Sequence, residues 1–169
     1  MGIQYANLDN KTREFMLKEI ELDCQNRKMY ISPRLNAIGH RNWESLLKDA
    51  ALEHNDDWLA NELRQRECMN SYTLRNTRGV VTSCKVPITA PETLSEGEFN
   101  RFYCRGLCAR AIEEGIKEVE VYRGKYVENP RTESQLKIGK RFDPSTLLND
   151  LRTAQGVEPA IGARVRFLS

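Results

Sequence analysis

Residues 95–115 read SEGEFNRFYCRGLCARAIEEG, and this stretch decides the fold. Ser95 with Glu98 three positions on has the form of a capping box, and Gly115 has the form of a helix stop. The spacing therefore predicts a helix from Ser95 through Glu114. Along it Phe99, Tyr103, Gly106 and Leu107 share one side, Cys104, Cys108 and Ala111 a second, and Phe102 and Ala109 cover a third. A helix that is apolar almost all round is buried, so this one is expected at the centre of the fold. Arg101 and Arg105 share the remaining face with Ile112. They have two readings: ion pairs with acidic residues of other helices, or an arginine pair open to phosphate or a partner's carboxylate. Gly106 in mid-helix costs about 1 kcal/mol relative to Ala, which implies that something packs close against it.

Outward from this helix the period changes. In residues 71–88, Tyr72 and Leu74 alternate with Thr73 and Arg75, Asn76-Thr77-Arg78-Gly79 supplies turn chemistry, and Val80 to Val86 is rich in β-branched residues. These residues predict a β-hairpin whose second strand ends near an edge at Pro87. Thr89 to Leu94, with Pro91 inside it, reads as a linker. After Gly115, Val119 and Val121 alternate with polar neighbours as a strand. A linker is expected around residues 128–141, punctuated by Asn129-Pro130 and Gly139. Asp143-Pro144 then opens a helix through Leu147, Leu148 and Leu151, which Gly156 stops. Arg164 to Phe167 alternates as one last strand.

The first 70 residues read as helices. Asp9 can cap a helix striped by Met16, Ile20 and Cys24, with Pro33 closing that segment. A second pattern after Gly39 carries Trp43, Leu46, Leu47, Ala50 and Ala51; a third, capped by Asn55 or Asp56, carries Trp58, Leu59 and Leu63. Together these elements predict a single α+β domain over residues 1–169. A helical subregion (1–70) precedes a mixed subregion (71–169), in which a small antiparallel sheet, the hairpin plus one or two strands, packs on the central helix.

Chemistry leaves few traces in this chain. It has no glycine-rich phosphate loop, no GxGxxG, no GxSxG elbow and no HExxH. Five cysteines at irregular spacing make a poor disulfide framework, and without a secretory start they are expected as reduced thiols in a cytoplasm. Cys104 and Cys108 could share a helix face, but no CxxC or HxxxH completes a zinc set, so neither metal nor cofactor is expected. No stretch approaches the roughly 20 apolar residues of a membrane span. Two constellations could still serve catalysis. Glu118 and Glu120 form an ExE pair on the predicted strand, a pattern found in some arginine-directed ADP-ribosyltransferases, or else a solvent face alternating with valine. His40-Arg41 could meet Asp56-Asp57 as a general-base pair, or be a surface histidine beside a helix cap. No catalytic residue is assigned, and enzymatic activity is not the favoured expectation.

Binding is. The chain has 26 Lys and Arg against 24 Asp and Glu, unevenly placed. Residues 1–70 hold ten basic and twelve acidic residues, and residues 71–169 hold sixteen and twelve. Candidate contacts to a nucleic acid or partner are Arg75, Arg78 and Lys85 on the hairpin, Arg101 and Arg105 on the central helix, Arg123 after the strand, and Lys137, Lys140 and Arg141 around Gly139. Tyr122 and Tyr126 could stack on unpaired bases. The isoelectric point of about 8.3 is below that of a dedicated nucleic-acid domain. The expected function is a small adaptor or modulator that binds another macromolecule, self-associating as a homodimer, with a bacterial or phage accessory system as one setting. The alternatives are nucleic-acid binding through the basic hairpin and ADP-ribosyl transfer through Glu118 and Glu120.

Overall fold

In the computed structural model, which describes residues 4–122, 138–153 and 164–167, five helices and two antiparallel sheets form an α+β fold. Helices α1 (Asn10–Gln25), α2 (Ala37–Glu53) and α3 (Asp56–Gln65) precede the hairpin β1 (Tyr72–Thr77) and β2 (Val80–Lys85). The long helix α4 (Ala90–Glu113) follows, then β3 (Val119–Tyr122), β4 (Arg141–Phe142), α5 (Pro144–Thr153) and β5 (Arg164–Phe167). The second sheet has β3 in the middle, with β4 and β5 antiparallel on either side.

Short polar side chains start the helices where an orphan N–H needs an acceptor. Asp9 accepts from the Thr12 N–H at 3.0 Å, Asn36 from Gly39 at 2.9 Å, Asn55 from Trp58 at 2.9 Å and Asp143 from Thr146 at 3.0 Å. The expectation for α4 needs correction, because the helix begins five residues before Ser95. Its first turn contains Pro91, whose missing N–H costs nothing there. Ser95 is buried inside the helix, and Glu98 serves Arg101 at 2.8 Å in place of a cap. The end of α1 is a second correction. The helix stops at Gln25, well before Pro33, because Arg27 turns into the left-handed region (φ 56°) and Lys28 N–H reaches back to the Asp23 carbonyl at 2.8 Å.

α4 is central as the sequence predicts: every residue from Glu98 to Cys108 is buried. Around it lie Met16 and Ile20 from α1, Trp43 and Leu47 from α2, Leu59 and Leu63 from α3, Leu147 and Leu151 from α5, and Val119, Val121 and Val165 from the sheet. One core thus draws on both subregions. The hairpin adds nothing to it before Val86.

The mid-helix glycine has its explanation in α1. A Cβ on Gly106 would stand 2.8 Å from the Met16 nitrogen and 3.0 Å from its Cα, so only a hydrogen there lets the two backbones approach. Gly106→Ala is therefore expected to destabilise the fold by about 1–3 kcal/mol, the usual cost of overpacking against backbone that cannot yield. Urea denaturation should show a lower midpoint at unchanged slope.

Candidate interaction surface

Arg101 and Arg105 of α4 do not reach solvent. Arg105 is fully buried: its Nε donates to Glu19 Oε1 at 3.0 Å, and its Nη1 and Nη2 donate to the two Asp23 oxygens at 2.8 and 2.9 Å. Arg101, also buried, donates from Nε to Glu98 and holds Nη2 3.8 Å from Asp23. Arg152 of α5 completes the set by donating to both Glu19 oxygens, at 2.9 and 2.7 Å. The Phe102 ring lies 4.7 and 4.8 Å from the Arg101 and Arg105 guanidiniums. Three carboxylates thus face three guanidiniums, of which Arg101 and Arg105 are buried and Arg152 reaches the surface. Arg101 and Arg105 are taken up by this network and withdrawn from any binding surface, because a helix buried on all sides can carry a charge only where carboxylates in the core neutralise it.

Burial alone would push the Glu19 carboxyl up, but hydrogen bonds and charge from Arg152 and Arg105 outweigh it and hold it below its ordinary range. At Glu98 burial prevails over Arg101, and the carboxyl is pushed up.

The other candidates separate into places. Arg75, Arg78 and Lys85 stand exposed on the hairpin, as do nearly all of its residues; only Thr73 and Cys84, near its root, are half-buried. The register pairs Tyr72 with Lys85, Leu74 with Ser83 and Asn76 with Val81, so alternation gives the two faces different chemistry. One face carries Tyr72, Leu74 and Val81 with Asn76, Ser83 and Lys85; the other carries Arg75 among Thr73, Thr77 and Thr82, with Val80 and Cys84. Arg78 and Gly79 both have positive φ, 51° and 81°, which makes a tight two-residue turn with the guanidinium at its tip. The root is held by Val86, whose N–H donates to the Ser71 carbonyl at 2.8 Å, and by Arg64, which donates to the Ile88 carbonyl at 2.9 Å and pairs with Glu92. A groove opens at this root between α2, α3 and the start of α4, with Ile38, Met69 and Ile88 along it. No spacing in the sequence announces this groove, because its walls come from three separate elements.

Lys140 and Arg141 are exposed elsewhere. The hairpin joins α4 at its N-terminal end, whereas the second sheet packs on its C-terminal half, where Tyr103 OH donates to the Val165 carbonyl at 3.0 Å. Arg141 lies 3.8 Å from Glu118, and Arg166 bonds Glu120 at 3.2 Å, so the ExE carboxylates are engaged with arginines of the flanking strands. Tyr122 is half-buried, its hydroxyl donating to the Gln4 carbonyl at 2.8 Å. Arg123, Tyr126 and Lys137 lie outside the described residues. His40 and Asp56 sit at opposite ends of α2, a helix of 17 residues and so about 25 Å long, and form no general-base pair. Among the described residues no group of three His, Cys, Asp or Glu is placed to hold a metal ion, and no helix is long and apolar enough to cross a membrane.

Comparison of the chain with known protein families, with curated proteins and with solved structures finds no match in any of the three.

Replacing Arg105 by Met leaves Glu19 and Asp23 facing an uncharged side chain, which is expected to cost about 3–5 kcal/mol at neutral pH. The pH dependence follows from Glu19. Its folded-state pKa lies below its unfolded value, so its contribution is complete above the ordinary 4.5 and is lost as pH falls through the folded value. The gap between wild type and Arg105→Met should accordingly narrow in acid, as read from urea midpoints at stepped pH. Glu98, raised, works in the opposite sense and leaves the wild type less acid-sensitive than Glu19 alone would make it.

Proposed function

We propose that this chain is a small self-associating adaptor that binds another macromolecule, with the β1–β2 hairpin as its contact arm. The observation that carries the reading is the arm itself. It stands outside the core, is exposed on both faces, and bears three cations with no Asp or Glu between Ser71 and Ile88. Five of the nine exposed large apolar side chains among the described residues fall between Tyr72 and Ile88; Leu74 is 78% exposed and Ile88 83%. Apolar side chains gathered in this way mark a contact surface, whereas scattered ones carry no such meaning. The turn adds to this. Asn or Gly would sit in the left-handed region at little cost, and Arg78 costs about 1–2 kcal/mol there while placing a charge at the furthest point of the arm.

A nucleic acid is the second reading, and the hairpin's other face favours it. Arg75 and three threonines beside Val80 offer hydrogen bonds to a phosphate backbone.

Arg75→Ala with Arg78→Asn tests both in the full chain. Both positions are exposed and Asn suits the turn, so the fold should be unaffected. With a protein partner captured from native extract, the double variant is expected to retain at least tenfold less than wild type. A gel shift with DNA and RNA serves the second reading: its salt slope should fall by about one for each phosphate that the variant no longer neutralises. No shift at low salt with wild type removes the nucleic acid and leaves a protein.

A further inference from the structure

We propose that copies of this chain associate head to tail, the basic hairpin of one lying on the acidic C-terminal end of α2 in the next. The hairpin springs from the opposite end of that helix, where Asn36 and Ile38 border the groove together with Ser71 and Val86. Seventeen residues away, about 25 Å, the surface has the reverse charge. Asp49, Leu52 and Glu53 stand on one exposed face of α2 by their spacing of three and four. Asp57 is exposed in the first turn of α3. Glu14 is exposed beside Arg13, whose Nη1 donates to the Ala51 and His54 carbonyls at 3.0 and 2.8 Å and thereby fastens α1 to this end. Four exposed carboxylates thus belong to this end of the fold, together with Leu52, 41% exposed, and the stacked rings of His54 and Trp58, 4.0 Å apart. Glu44 and Glu62, on the same two helices, are instead taken up by Lys48 and Arg66.

The two ends are complementary in both respects that matter. Arg78 at the tip and Lys85, which shares the face of Tyr72, Leu74 and Val81, meet carboxylates, and Leu74 and Val81 meet Leu52 and the aromatic stack. A two-fold contact of hairpin on hairpin would instead set the cations of one copy against those of the other. The head-to-tail contact does not close on itself, so a pair retains one free hairpin and one free acidic end, and association continues as concentration rises. The fourteen residues from Tyr72 to Lys85 are fewer than the roughly 20–30 a side of a standard interface, so the contact is weak and salt-sensitive.

This inference rests on reading the hairpin as a contact arm, and sedimentation velocity of the full chain tests it separately. Three proteins are compared: wild type, Arg75→Ala/Arg78→Asn, and Asp49→Asn/Glu53→Gln. All four positions are exposed, and circular dichroism and thermal unfolding serve as the check that the fold is intact. The wild-type mass should rise above 19.5 kDa with concentration and fall back as salt is added. Each variant alone should associate at least tenfold more weakly. An equimolar mixture of the two retains one native contact, and should form pairs that grow no further. A wild type that stays monomeric throughout, variants that associate like wild type, or a mixture no larger than its components would each overturn the inference. If self-association is absent and the hairpin variant still loses its captured partner, the contact-arm reading stands without it; if that variant captures the partner like wild type, the contact-arm reading falls as well.

Discussion

Two guanidinium groups sit inside this protein, and the arrangement of its helices is the means of keeping them there. From Glu98 to Cys108 α4 is covered on every side, yet that run contains Arg101 and Arg105. A buried charge without a partner is untenable, so acids must arrive from somewhere. Glu98 arrives from α4 itself; Glu19 and Asp23 arrive from α1, four residues apart on one face. Three carboxylates against two arginines would leave an excess, and Arg152 from α5 balances it. Next to Arg105 stands Gly106, against which Met16 rests. The α1–α4 crossing is therefore specified twice within two residues, once by charge and once by the absence of a side chain. An ion network of this kind adds little net stability over an apolar core, but it penalises every other way of docking α1.

Much of this organisation is legible in the sequence because its causes are local. Asp9, Asn55 and Asp143 precede helices that they cap, and the cap needs only a side-chain oxygen two or three residues from an N–H. The hairpin is legible because Arg78-Gly79 between alternating residues leaves the chain few other conformations. Ser95 misleads for the same reason that the others inform. Its spacing to Glu98 satisfies the capping rule, but the rule is silent about Arg101, which lies one turn further on and takes the carboxylate. Pro33 misleads because a helix can stop before its breaker, here at a left-handed Arg27 that no composition rule selects.

The candidate surface is legible in its charges and not in its geometry. Arg75, Arg78 and Lys85 can be read from the chain as a basic hairpin. That Leu74 shares a face with Tyr72 and Val81, while Arg75 stands on the other, depends on the pairing register. The partners of Arg105 are beyond local reading, because Glu19 and Asp23 lie more than eighty positions away. Lys140 and Arg141 cannot be separated from the hairpin by counting charge, since α4, which stands between them, is what separates the two places.

The same helix explains why the arm can be held steady and still remain free. A two-stranded ribbon alone is marginally stable in water, so its direction must be set at the root. Val86 is buried there, and Arg64 spans from α3 to both the Ile88 carbonyl and Glu92, binding the ribbon's exit to the first turn of α4. Beyond that clamp no core residue belongs to the hairpin. Substitutions between Leu74 and Ser83 can consequently alter what the arm touches without a matching loss in the core, whereas any change in α4 between Glu98 and Cys108 meets packing or buried charge. Recognition and stability are carried by different residues of one chain, joined at Pro87-Ile88.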